Sequence, residues 1–177
     1  MKWLNHLFGG PKDMAALTAG TKAPDFSLTA LDGSTFSLQE ALQRGPVVAA
    51  FFKVSCPVCQ YAFPYFERLH KAYSSKATIV GISQDNQRDT TAFLKEYGVT
   101  FRTLLDDPKG YAASNAYGLS NVPSLFLIGQ DGQIEVSSVG WVKTEFEEVS
   151  SNLAEAQQAP PPVLFKPGEE VRDFRAG

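Results

Sequence analysis

Cysteine is almost missing from this chain, which has two in 177 residues. A small secreted scaffold that replaces a core with disulfides uses several bridges, so stapling does not explain this pair. Histidine is equally scarce: His6 and His70 stand at no recognised spacing from the cysteines, so no metal site and no cofactor are expected. Clusters of Lys and Arg are absent and the formal net charge is -3. Nucleic acid and anionic membrane surfaces, which need a basic face, are therefore excluded as main partners. No apolar run approaches the ~20 residues of a spanning helix. The opening MKWLNHLFGG has one Lys and a few apolar residues, but Asn5, His6, Gly9 and Gly10 break it short of a signal core. A cytoplasmic protein is expected, or a periplasmic one if a leader has been removed. What remains, 44% hydrophobic and 20% charged, suits one globular domain that buries its core unaided and acts as a monomer.

The order of elements can be read along the chain. Residues 1–20 mix Gly, Pro, Ala and Thr without a period and are expected to be a weakly packed leader. In "FSLTALDGSTFSL" two alternating runs flank Asp32-Gly33, a dipeptide that accepts the positive φ of a tight turn, so a hairpin is predicted. Ser37 and Glu40 have capping-box spacing and open a short helix that stops by Gly45. "PVVAAFF" is apolar throughout, as a strand buried on both faces must be. From Pro57 to Tyr73 the apolar residues Val58, Ala62, Tyr65, Phe66, Leu69 and Tyr73 recur at helical spacing, with Pro64 removing one backbone donor. "ATIVGIS", "DTTAFLKEYG" and "VTFRTLLDD" continue as strand, helix and strand. "PSLFLIGQDGQIEVSSVG" predicts a hairpin turning at Asp131-Gly132, and Thr144 with Glu147 predicts the capping box of a last helix. The domain is thus expected over 21–157. Residues 158–177, rich in Pro and without a period, follow as a tail.

Both cysteines fall where the central strand hands over to its helix, in "SCPVCQ". Cys56 precedes Pro57, a favoured first helical residue, so its sulfur lies by unsatisfied N–H groups at the positive end of the helix dipole, where a thiolate is stabilised. Cys59 follows one turn later on the same face, within reach of Cys56. One thiol attacking a disulfide and the other releasing the product is the chemistry this pattern favours. A metal half-site and two packing cysteines are the alternatives; zinc would need two further ligands. The "PV" between the thiols carries no cation, which leans the direction towards a reductase.

The ordered stretches "APDFSLTALDGSTFSL", "VVAAFFKVSCPVCQYAFPYFERL", "IVGISQD" and "AYGLSNVPSLFLIGQDGQI" resemble thioredoxin-like proteins of the TlpA/ResA type, within the grouping that also holds peroxiredoxins. The resemblance covers roughly residues 20–155. It implies an α/β thioredoxin-like fold, a central mixed sheet flanked by helices with an added N-terminal hairpin. It implies thiol–disulfide exchange with protein thiols or disulfides and a redox partner that stays unidentified. Carried over, Cys56 is the nucleophile and Cys59 the resolving thiol. Pro123 is the cis-proline, and Val122 before it offers its backbone to a bound peptide.

The chain departs from the pattern in places. Ser55 replaces a common Trp, and Ala50 and Ala62 stand where relatives carry the acids that assist the resolving thiol. Lys53, three residues before Cys56, is a candidate for lowering its pKa. Three other functions fit the sequence less well. A peroxidase would need a PxxxTxxC signature, but Ala49 and Lys53 occupy the Pro and Thr positions before Cys56, and counting from Cys59 also fails. Copper delivery lacks a histidine after His70. A non-catalytic protein-binding module would dock through Tyr61, Phe63, Tyr65 and Phe66 or through the tail, though such spacing more often marks a core. His70, about three turns past Cys59, is too far for a base, and Trp141 is expected to cap the core.

Overall fold

A computed structural model describes residues 15–177 of the chain; the opening residues, including His6, lie outside the described part. The hairpin comes first. β1 (Ser27–Ala30) and β2 (Thr35–Ser37) pair antiparallel. Gly33 sits at the turn with φ +81 and donates its N–H to the Ala30 carbonyl at 2.9 Å, a conformation that a Cβ would strain. Ser37 then caps α1 (Leu38–Leu42), its Oγ accepting the Glu40 N–H at 3.4 Å.

The all-apolar run forms β3 (Val47–Phe52), buried at every position. α2 (Pro57–Tyr73), β4 (Thr78–Ser83), α3 (Gln87–Glu96) and β5 (Thr103–Leu105) follow, then α4 (Ala112–Ala116), β6 (Ser124–Ile128) and β7 (Ile134–Val139). They build one mixed sheet in the order β2-β1-β5-β4-β3-β6-β7. β3, β4 and β5 run parallel, β6 and β7 antiparallel, and the hairpin adds at the far edge through an antiparallel β1–β5 pairing. The expected thioredoxin-like sheet with its added hairpin is thus present.

Strand alternation divides the core into two layers. Val48, Ala50 and Phe52 join α2 and the last long helix, α5 (Lys143–Ala156), on one face. Val47, Ala49 and Phe51 join the hairpin, α1 and Tyr117 on the other. Trp141 lies at the centre of the first layer, 1% exposed, packed on Tyr65, Phe146 and Tyr61 at ring-centre distances of 4.8, 5.2 and 5.5 Å.

Two segments differ from the sequence-based expectation. α5 starts at Lys143, not through a Thr144 capping box, and Val142 makes no side-chain cap. Thr144 is already inside the helix and so cannot be its cap, and the Lys143 N–H, an orphan donor of the first turn, has its partner from outside the helix in the Asp173 carbonyl at 2.9 Å. That partner belongs to residues 158–177, which are docked along α2. Arg68 holds Glu169 through two 2.7 Å hydrogen bonds and donates to the Leu164 carbonyl at 2.9 Å. The Trp141 indole donates to the Arg172 carbonyl at 2.6 Å, and β9 (Phe174–Arg175) pairs antiparallel with β8 (Trp141–Val142). At the other end, the Leu17 and Gly20 N–H groups bond the carbonyls of Tyr117 and Ile134.

Candidate active site

β3 ends at Phe52 and a tight loop carries the chain into α2. The loop is held from three sides: the Cys56 N–H donates to the Lys53 carbonyl (3.2 Å), the Val54 N–H to Asp85 Oδ2 (2.7 Å), and the Gln60 amide to the Val54 carbonyl (3.0 Å). Cys56 is the residue that caps α2, with extended backbone (φ -83, ψ 115), and Pro57 opens the helix. A cap normally offers an oxygen to the first free N–H groups. Here the acceptor is sulfur, and the Cys59 N–H donates to Cys56 Sγ at 3.2 Å.

The second wall is the peptide bond between Val122 and Pro123, which is cis. Cys56 Sγ lies 3.3 Å from the Val122 carbonyl and donates to it when the thiol carries its proton. The fold therefore brings together Cys56, Cys59, Val122 and Pro123 from two segments. Lys53 is exposed and shares with Cys56 a cleft of about 560 Å³ lined also by Gln84, Tyr111, Asn121 and Gly177. Tyr111 holds the left-handed φ of +46 on its rim. His70, late in α2, has its ring edge on Phe101 at 6.0 Å. Among the described residues no group of three or more His, Cys, Asp or Glu could hold a metal ion, and no helix is long and apolar enough to cross a membrane.

The two thiols differ in environment and so in acidity. Cys56, half-buried, has its pKa brought down to about 6, first by the hydrogen bond from the Cys59 side chain and then by the N–H groups of Cys59 and Val58, against an opposing burial effect. Arg175 adds a favourable charge. Cys59 is wholly buried, and burial first, with the hydrogen bond to Cys56 second, pushes its pKa far above the usual thiol range. At pH 7 Cys56 thus favours the thiolate far more than an ordinary cysteine does. Alkylation of the reduced protein by iodoacetamide, followed by mass, should be half-maximal near pH 6 and confined to Cys56 until the chain unfolds; half-maximal labelling near pH 8–9 would contradict this geometry.

Arg175 had no signal in the sequence. It lies in a segment without period, and only the β8–β9 pairing, Trp141 opposite Arg175, sets it beside the site with its guanidinium over the Tyr61 ring at 5.0 Å.

Fold and site together define a thioredoxin-like thiol–disulfide oxidoreductase. The chain belongs to the AhpC/TSA family, whose model matches residues 19–137. It is 31% identical to the thioredoxin-like protein YneN of Bacillus subtilis over 142 residues, 77% of this chain and 81% of that one. It is 30% identical to the thiol-disulfide oxidoreductase ResA of Halalkalibacterium halodurans over 139 residues, 77% of each. Among solved structures, a thiol:disulfide interchange protein of the thioredoxin family from Chlorobium tepidum superposes with TM-score 0.64 at 26% identity, covering 78% of this chain and 99% of that one. The thioredoxin domain of a Bacteroides vulgatus thiol-disulfide oxidoreductase matches in fold, with TM-score 0.70 at 20% identity over 78% and 99% of the two chains.

Proposed function

We propose that the chain reduces disulfides in protein substrates through Cys56 and Cys59. The observation that carries this is the position of Cys56 Sγ, at a helix N-terminus with the Cys59 N–H on one side and the Val122 carbonyl on the other. The Cys56 thiolate attacks one substrate sulfur; a Cys56–substrate bond forms and the substrate disulfide breaks, its other sulfur leaving as thiolate. Cys59 then loses its proton and attacks Cys56 Sγ, the second substrate thiolate leaves, and the pair ends as a Cys56–Cys59 disulfide. Two electrons have passed to the substrate, and a partner dithiol returns them. Val122 and Pro123 bind the substrate backbone beside Cys56, since a strand laid there meets a carbonyl already directed at the sulfur.

A turnover assay tests this. Reduction of insulin by dithiothreitol should run well above the uncatalysed rate with the wild type and fall to that rate with Cys56→Ser; no acceleration by the wild type would contradict it.

Two cations support the thiolate in this proposal: Arg175, packed on Tyr61, and Lys53, on the cleft rim. Arg175→Ala should move the alkylation midpoint of Cys56 upward by a few tenths of a pH unit, the size expected of one partly screened charge. Lys53→Ala tests the second cation in the same way, and an unchanged midpoint there would remove Lys53 from the site.

A further inference from the structure

The docked tail runs on past its anchors as far as the thiol site. From Leu164 to Asp173 it is fastened to the domain: Arg68 holds Glu169, the Arg172 N–H donates to the Tyr61 hydroxyl at 2.9 Å, and the carbonyls of Arg172 and Asp173 accept from Trp141 and Lys143. β9 then carries it along β8, and residues 176–177 reach the loop that holds Val122. Two glycines let the backbones touch there. A Cβ on Gly140 would stand 2.5 Å from the Arg175 carbonyl oxygen and 2.9 Å from the Gly177 nitrogen. A Cβ on Gly177 would stand 2.6 Å from the Val122 carbonyl oxygen and 3.1 Å from its carbon. Backbones approach this closely only where glycine stands. Gly177 therefore lies directly on the Val122 carbonyl, the group 3.3 Å from Cys56 Sγ.

A substrate backbone laid against Val122 needs the same space. The two chains cannot share it, because the approach of Gly177 leaves no room even for a methyl group. Cys56 itself stays reachable through the cleft of about 560 Å³ lined by Lys53, Gln84, Tyr111 and Asn115 as well as Gly177. A small disulfide can thus meet the half-buried sulfur with the tail in place, whereas an extended protein segment meets residues 176–177. The tail is also fastened unevenly. Among the described residues one side-chain hydrogen bond, from the exposed Asn121 amide to the Gly177 carbonyl at 2.9 Å, holds it beyond β9. An exposed hydrogen bond is a weak tie, because water replaces either partner when it breaks.

We propose that residues 176–177 are an internal strap over the backbone-binding edge at Val122, which a protein substrate displaces before Cys56 attacks its disulfide. This rests on the exchange function proposed above and on the role of Val122 in it. Strap and substrate compete for one surface, so the fraction of molecules with the strap lifted scales the apparent affinity for protein substrates. Small disulfides, which need no backbone pairing, escape the competition. The fastened part of the tail, with Arg175 in β9, does not have to move.

Gly177→Ala tests the strap, since the added methyl group has no room beside the Val122 oxygen and the exposed strap is the side that can give way. The readout is a ratio: the second-order rate constant for oxidation of the reduced protein by insulin, divided by that for Ellman's reagent, a small disulfide. In Gly177→Ala this ratio should rise by roughly three- to tenfold over the wild type. Asn121→Ala, which removes the donor to the Gly177 carbonyl, should move it in the same direction. A ratio unchanged or lowered in Gly177→Ala, with the wild type oxidised by both disulfides, overturns the strap and leaves the exchange function standing. If neither reagent converts the reduced wild type to a Cys56–Cys59 disulfide, the exchange function fails and the strap falls with it.

Discussion

A Cys59→Ser variant should become a covalent trap. Cys56 still attacks a substrate disulfide, but no thiol remains to release the product. The variant should accumulate a mixed disulfide with its substrate protein, visible as a mass increase that dithiothreitol reverses, while turnover falls by on the order of 10³-fold or more. Cys56→Ser should lose the same turnover and capture nothing, because the wholly buried Cys59 cannot reach a substrate. The two variants therefore differ in product, not in rate. The hydrogen bond from Cys59 is also the leading cause of the low Cys56 pKa. Cys59→Ala, which has no donor on its side chain, should move the alkylation midpoint up from about 6 towards the ordinary thiol range. A Cys59→Ser protein that forms no covalent complex would contradict the division of roles.

The largest stability effect is expected at Trp141. Its ring is 1% exposed and meets Tyr61, Tyr65, Phe66 and Phe146, while its indole N–H donates to the Arg172 carbonyl. Trp141→Ala removes that packing, leaves a cavity and strips a carbonyl of its donor, at a cost of about 3–5 kcal/mol. For a domain of this size that lowers Tm by roughly 6–20 °C. The site should feel the change as well, because Trp141 lies opposite Arg175 in the β8–β9 pair. The Cys56 alkylation midpoint should rise in the folded variant, as it does in Arg175→Ala. Trp141→Phe, which keeps most of the contact area but not the N–H, should fall between the two. A loss under about 1 kcal/mol in urea unfolding would show that the tail and the aromatic layer do not depend on this residue.

The sequence was most readable where local chemistry decides the outcome. Six consecutive apolar residues rich in Val and Phe suit a strand covered on both faces, and Val47–Phe52 is one. Gly33 and Gly132 have positive φ at the two turns where Asp-Gly stands. Ser37 caps α1 as its spacing predicts. The thiols lie at the strand-to-helix junction because Pro57 can open a helix but cannot continue a central strand.

What the sequence concealed depends on partners distant along the chain. The cap of α5 is a carbonyl at Asp173, and a backbone acceptor leaves no mark in composition. The docking of residues 158–177 rests on Arg68 with Glu169 and on the carbonyls of Leu164 and Arg172, contacts without a period to detect. α4, in "AASNA", is short and follows a left-handed Tyr111, so neither length nor capping announces it. Spacing pointed to Cys56 and Cys59 and resemblance to Val122 and Pro123, and the structure brings these four residues together. Arg175 comes beside Cys56 only through strand pairing, β9 on β8.

Equilibrating the purified chain in graded dithiothreitol or glutathione buffers, then alkylating and weighing it, asks whether Cys56 and Cys59 form one redox couple. A single reversible two-electron transition, with both thiols labelled in denaturant at the reducing end and neither at the oxidising end, is the expected result. Labelling of both cysteines in every buffer would mean that no intramolecular disulfide forms, and would contradict exchange through this pair.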